Sequence, residues 1–158
     1  MRYVQLFDID KSLKVFCNRG TSGIDGSTTT AIGAAFASKA PTVFITGDLS
    51  FFYDSNALWN NYIPSTFKII IINNSGGGIF RILPGAKEVA GFSTFFETKH
   101  QLTARQLSDM HGFEYARADD AVSVKTQLYR FFKNTNAPQV LEICTPSEVN
   151  DVILKEYF

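Results

Sequence analysis

The sequence predicts one doubly wound α/β domain, a mostly parallel sheet with helices on both faces. Two observations carry that prediction. Two apolar runs, Thr42 to Thr46 and Phe67 to Ile72, each stop at a short polar turn containing glycine, as buried parallel strands do at a ligand-binding edge. Strand-like and helix-like segments also alternate along the 158 residues, the pattern of successive βα units joined by right-handed crossovers. No internal repeat or low-complexity tract interrupts it.

Arg2 to Phe7 begins without a cap, as if inside an element. Val15 to Asn18 reads as a short strand, followed by a loop from Arg19 to Gly26. Its Gly20, Gly23 and Gly26 lack the Gly-x-Gly-x-x-Gly spacing of a dinucleotide fingerprint, which argues against a Rossmann-type nucleotide binder. Ser27 to Ser38 is rich in alanine and threonine, with Ile32 and Phe36 its large side chains. It is expected to be a helix lying close to a sheet or to a symmetry-related partner.

After the strand Thr42 to Thr46, a second helix is expected to begin near Ser50. Phe51, Ser55, Leu58 and Tyr62 recur at helical spacing, and Pro64 ends the pattern. Beyond the strand Phe67 to Ile72, Arg81 to His100 shows no period. A run of that kind in a compact domain is expected to be a lid or a partner contact, with Phe92, Phe95 and Phe96 covering a site or another chain. Thr103 and Gln106 form a capping-box pattern opening a helix to Met110, stopped by His111-Gly112. A strand near Phe113 to Ala118 follows. Asp120 then caps a helix whose Val124, Leu128 and Phe131 share one face. Gln139 to Cys144 is the last buried strand, and Pro146 to Phe158 a helical tail.

Composition narrows the function classes. Lys plus Arg equals Asp plus Glu, 15 each, so there is no general attraction to nucleic acid or to an anionic membrane. The 45% hydrophobic and 19% charged content fits a soluble globular protein. No apolar run approaches about 18 residues and no signal core is visible, so neither a membrane span nor export is expected. Cys17 and Cys144 lie in apolar strand-like runs without Cys or His neighbours at metal spacing, which predicts buried, reduced thiols in a cytosolic protein.

The turns after the two apolar strands are expected to face one ligand. Asp48 supplies a carboxylate, Asn74 an amide oxygen, and Gly76, Gly77 and Gly78 an unshielded backbone. Hard oxygen donors beside anion-binding amides are what Mg²⁺ or Ca²⁺ needs when held together with a phosphate group. The two residues stand about two dozen positions apart, enough for one helix and one strand, so both can sit at the same end of adjacent strands. The helix opening near Ser50 would aim its first amides at the same crevice. Singly, Asp48 and Asn74 are ordinary turn residues. Asp25 reads as a loop-stabilising carboxylate, and His100 and His111 as surface and helix-end residues, since no partner is spaced to form a triad.

Gly47-Asp48, a gap, and a hydrophobic strand ending Asn73-Asn74 together resemble the thiamine-diphosphate binding motif, with Leu49 where the usual form has glycine. Upstream stands Asn18-Arg19-Gly20-Thr21-Ser22-Gly23-Ile24-Asp25-Gly26, and downstream Asn73-Asn74-Ser75-Gly76-Gly77-Gly78-Ile79-Phe80. With these segments the chain closely resembles the 2-succinyl-5-enolpyruvyl-6-hydroxy-3-cyclohexene-1-carboxylate synthases of the menaquinone pathway. The resemblance covers nearly the whole chain, yet only the diphosphate-binding third of such an enzyme.

That resemblance implies the thiamine-diphosphate-binding fold, with Mg²⁺ or Mn²⁺ on the Asp48 carboxylate, the Asn74 side-chain oxygen and the Gly76 carbonyl. It implies that Gly47, Leu49 and Ser50 contact the diphosphate and that Ser22, Gly23 and Gly77 line the cofactor. It also implies that Ile24 supports the bent cofactor and that Ile79 and Phe80 wall the active site. Arg19 would clamp a substrate carboxylate, with Arg2 matching the arginine of the family's Asn-Ser-x-x-x-Arg segment. The implied reaction is decarboxylation of 2-oxoglutarate and addition to isochorismate, by a cytoplasmic homodimer or tetramer. A glutamate from the pyrimidine-binding domain of a second subunit completes the site, so no catalytic residue is assigned in this chain, and the chain alone is expected to turn over little. Two alternatives stay open: another thiamine-diphosphate lyase of the acetolactate-synthase type, and a non-catalytic module of the same fold docking through Phe92, Phe95 and Phe96.

Overall fold

The computed structural model describes residues 7–18, 20, 23–133 and 136–157. Arg2, Arg19 and Ser22 lie outside them. The described elements are α1 (Ser27–Ser38), β1 (Thr42–Gly47), α2 (Asp48–Tyr53), a 3₁₀ turn (Ser55–Trp59), β2 (Phe67–Asn73), α3 (Arg105–Met110), β3 (Glu114–Ala118), α4 (Ala121–Lys133), β4 (Gln139–Cys144) and α5 (Asn150–Lys155). All strand pairs are parallel, and the sheet runs β1-β2-β4-β3.

Strand alternation distributes the core over two faces. Phe67, Ile69 and Ile71 of β2 and Val140 of β4 pack with Ile32 and Ala35 of α1, Phe51 of α2, and Leu58. On the other face Ile70 and Leu141 meet Ala118 and Phe131, with Val124 and Leu128 of α4 closing over them. The helices thus cover both faces of the sheet, as expected. Phe51, Phe67, Ile69, Ile71 and Leu141 are essentially fully buried, each stabilising by about 1.5–3 kcal/mol relative to exposure. No helix among the described residues is long and apolar enough to cross a membrane.

α1 occupies the predicted span because its alanines and threonines let it lie close to the sheet. Its first turn is anchored from outside. The buried Asp54 carboxylate accepts from Thr29 N at 2.7 Å and Thr29 Oγ1 at 2.9 Å, satisfying a helix-start amide with an anion where the dipole favours one. That recruitment also explains why α2 differs from expectation. α2 opens at Asp48 rather than Ser50 and breaks at Asp54, and the face from Phe51 to Leu58 continues as the 3₁₀ turn. Tyr62 lies beyond both and is exposed. α4 follows its prediction: Asp120 Oδ1 accepts from Val122 N and Ser123 N, both at 2.8 Å.

Other expectations are corrected. Val15 to Asn18 forms no strand; these side chains are exposed, and among the described residues no neighbouring strand pairs with them. Thr103 and Gln106 bond each other's side chains at 3.1 Å, and the residue before α3 is Ala104, so there is no capping box. Arg81 to His100 is not structureless. Tight turns fill Gly78–Ile82 and Ala86–Glu88, and a π-helical turn spans Phe92–Phe96. There the Phe92 ring stacks on Phe96, and Phe80 meets Phe96 edge to face. The tail is helical only over α5.

The thiols also divide. Cys17 is exposed rather than buried, and Cys144, at the end of β4, is only half-buried, though desolvation pushes its thiol up to about 11. A raised thiol pKa removes thiolate, the reactive form; at pH 8 about one part in a thousand remains. Treatment with a thiol-exchange reagent at pH 8 is therefore expected to label Cys17 promptly and Cys144 only on unfolding, checked by peptide mass mapping. Equal labelling of both in the folded protein would contradict the raised thiol pKa of Cys144.

Candidate functional site

The site begins with strand register. β1 and β2 run parallel with Gly47 opposite Ile72, so the chain leaves both strands at one edge of the sheet, at Asp48 and Asn74. Asp48 is 2% exposed. Its Oδ1 accepts from Leu49 N at 2.8 Å and its Oδ2 from Gly76 N at 3.0 Å, which ties the two turns together directly.

The glycine turn is crowded. Gly76 has φ +150°, and a Cβ there would lie 2.6 Å from the carbonyl oxygen of Glu97. One on Gly77 would meet Phe96 O at 3.0 Å and the Phe80 ring at 3.2 Å, and one on Gly78 would meet Asn74 Nδ2 at 2.5 Å. At Gly76 glycine is therefore required by close approach to backbone as well as by backbone angle. The segment responsible is held by backbone hydrogen bonds, Gly77 N to Glu97 O at 2.6 Å and His100 N to Ser75 O at 3.2 Å. Beneath it the largely buried Arg81 guanidinium pairs with the Glu97 carboxylate, which raises the pKa of Arg81. Asn74, Gly76, Gly77, Arg81, Glu97 and Lys99 line the small cleft that results.

His100 differs from its expected surface position. Its side chain is only 11% exposed, its ring meets Phe52 edge to face at 5.5 Å, and Nδ1 accepts from Leu102 N at 3.1 Å. That bond leaves the ring hydrogen of the neutral form on Nε2. Nε2 lies 3.3 Å from Asp48 Oδ2 but off the line a hydrogen bond needs, so this buried donor has no hydrogen-bond partner.

These residues fit a hard cation shared with a diphosphate. A carboxylate, an amide and a backbone carbonyl stand on two turns that the Gly76 N to Asp48 bond joins, beside a buried unpaired donor. Among the described residues no cluster of three His, Cys, Asp or Glu could hold a metal alone. Mg²⁺ does not need one, because it completes its shell with substrate phosphates and water. Gly47 adds open space, since a Cβ there meets nothing within 4 Å. Ser50 Oγ donates to Ile24 O at 2.9 Å, joining the upstream loop to α2. Ile24 and Ile79 are exposed, and Phe80 is half-buried against Phe96. Asp25 is exposed.

His100, Arg81 and Glu97 were not singled out for the site from sequence, because each acts through a partner distant along the chain.

A family model described as thiamine pyrophosphate enzyme, C-terminal TPP binding domain, matches residues 1–143. The chain belongs to that family, and its two bridged turns lie within the matched region. Among curated proteins it is 61% identical, over its whole length, to 28% of the 2-succinyl-5-enolpyruvyl-6-hydroxy-3-cyclohexene-1-carboxylate synthase of Flavobacterium johnsoniae. The synthases of Flavobacterium psychrophilum, 60% identical, and Christiangramia forsetii, 56% identical, match over all of this chain and 28% and 27% of their own lengths. The chain thus spans little more than a quarter of the curated relatives it matches.

Proposed function

We propose that the chain is the diphosphate-binding domain of a longer synthase of this kind, a transferase that uses 2-oxoglutarate and isochorismate in menaquinone biosynthesis. The observation that carries the site assignment is the bond from Gly76 N to Asp48 Oδ2, which brings the two motif turns to one point. Asp48, the Asn74 side-chain oxygen and the Gly76 carbonyl hold Mg²⁺ or Mn²⁺. Gly47, Leu49 and Ser50 take the diphosphate, Ser22, Gly23 and Gly77 line the cofactor, and Ile24, Ile79 and Phe80 form apolar walls. Arg19 and Arg2 take a substrate carboxylate. When bound, thiamine diphosphate supplies the electron sink that decarboxylation of a 2-oxo acid requires. The residues of this chain anchor and orient its charged end, and the pyrimidine-binding domain of a second subunit faces its other ring in a cytoplasmic homo-oligomer.

Calorimetric titration of thiamine diphosphate into the full-length protein tests the proposal. Saturable binding is expected with Mg²⁺, weakened about tenfold or more by a chelator, as for a site whose cation carries the phosphate contacts. Equal affinity in both conditions overturns the cation assignment.

A further inference from the structure

Glu142 is fully buried in the middle of β4, opposite Ile71 and within an apolar strand. A carboxylate in such a place is costly unless its oxygens are hydrogen-bonded. Among the described residues its hydrogen-bond partners are uncharged. Asn73 Nδ2 donates to Oε1 at 2.7 Å, Ala104 N to both oxygens at 3.2 and 3.3 Å, and the Tyr115 hydroxyl to Oε2. A leucine or valine would satisfy the apolar face more simply.

What the carboxylate adds is an orientation. An asparagine amide can present either its oxygen or its nitrogen to a neighbour. Both Glu142 oxygens already accept, from Ala104 N and the Tyr115 hydroxyl, and Oε1 likewise draws Nδ2 of Asn73 toward itself. Leu102 O, which accepts from the same nitrogen at 3.1 Å, reinforces that choice. Asn73 Oδ1 is thereby turned to Ser75 N, from which it accepts at 2.9 Å. Ser75 sits at φ +62°, a left-handed conformation that a non-glycine residue holds only with local support. Between Asn73 and Ser75 stands Asn74, and after Ser75 comes Gly76.

We propose that Glu142 is a positioning residue for the cation end of the site: through its hydrogen bond to Asn73 it sets the turn that presents Asn74 and Gly76. This rests on the reading of Asp48, Asn74 and Gly76 as the cation's oxygen donors.

The test uses the full-length protein and reads the Mg²⁺ concentration that half-saturates thiamine diphosphate binding, together with the melting temperature in chelator. Asn73→Asp sets a second carboxylate against Glu142 and removes the donated hydrogen, and is expected to raise the Mg²⁺ requirement about tenfold or more, the scale of lost outer-shell support. Glu142→Gln keeps an acceptor for Asn73 and is expected to stay within about threefold of the unchanged protein. Combining N73D with E142Q restores one hydrogen bond with its direction reversed, the new amide donating to the new carboxylate. The double variant is expected to recover most of the loss, which a merely structural role for either residue does not require.

Asn74→Ala separates the two readings. If it leaves the Mg²⁺ requirement unchanged, the cation assignment fails and this proposal with it. If Asn74→Ala raises the requirement but N73D does not, or if the double variant melts normally without recovery, the role given to Glu142 alone is overturned. Should N73D not fold, Glu142→Met replaces it. The same tenfold rise is expected there, and an unchanged Mg²⁺ requirement overturns the proposal.

Discussion

Asp48→Ala is expected to weaken thiamine diphosphate binding in the presence of Mg²⁺ by at least about a hundredfold, close to 2.7 kcal/mol. The side chain serves twice. It is the only carboxylate in the proposed donor set, so its loss leaves two neutral oxygens to hold a divalent ion whose affinity depends on ligand charge. It also bridges the turns, accepting from Leu49 N on one and Gly76 N on the other. Asp48→Asn separates these roles, because an amide oxygen still accepts from the backbone while carrying no charge. Calorimetry with and without chelator is the measurement. Without Mg²⁺ the substituted and unsubstituted proteins are expected to bind with similar, weak affinity. A Mg²⁺-dependent affinity unchanged by Asp48→Ala overturns the metal assignment.

Gly76→Ala carries the second large effect, on both stability and binding. The added methyl would sit 2.6 Å from a backbone oxygen, and backbone cannot swing away as a flexible side-chain end can. The φ of +150° adds strain of about 1–3 kcal/mol for any side chain. The segment from Glu97 to His100 must therefore shift, loosening the Gly77 N to Glu97 O bond and the buried Arg81–Glu97 pair together. A fall in melting temperature of several degrees is expected, with weaker Mg²⁺-dependent cofactor binding. Gly47→Ala is the contrast, since its Cβ would enter open space at an extended backbone angle. Its melting temperature is expected to hold while cofactor affinity falls, because that space is where the diphosphate is assigned. Equal melting of the Gly76→Ala and unsubstituted proteins would refute the close approach.

The parts of the fold legible in the sequence are those whose signal is local. α1, β1, β2 and β4 lie within a residue of their predicted spans because an alanine-threonine run or an apolar run needs no distant partner to declare itself. Val15 to Asn18 has strand composition but, among the described residues, no strand to pair with, and composition cannot supply one. The break in α2 depends on Asp54 being drawn to Thr29, a contact between segments about two dozen residues apart. The candidate site divides in the same way. Asp48 and Asn74 were found by spacing, and register places them at one edge. His100, Arg81 and Glu97 were not, since each matters only once the segment after the π-helical turn folds back onto the glycines. Glu142 did leave a trace: a single acid inside the run Gln139 to Cys144, where a strand buried on both faces should be apolar throughout.

The strand order bears on how the protein is made. During synthesis β1, β2 and β3 leave the ribosome before β4, yet β3 has no neighbour in the sheet until β4 enters between it and β2. Such long-range closure is slow, and it leaves strand edges open to other nascent chains meanwhile. The same late strand carries the carboxylate that orients Asn73. A nascent chain elongated only as far as Pro138 would hold Asp48, Asn74 and Gly76 in its sequence, and none of them in register with a completed sheet.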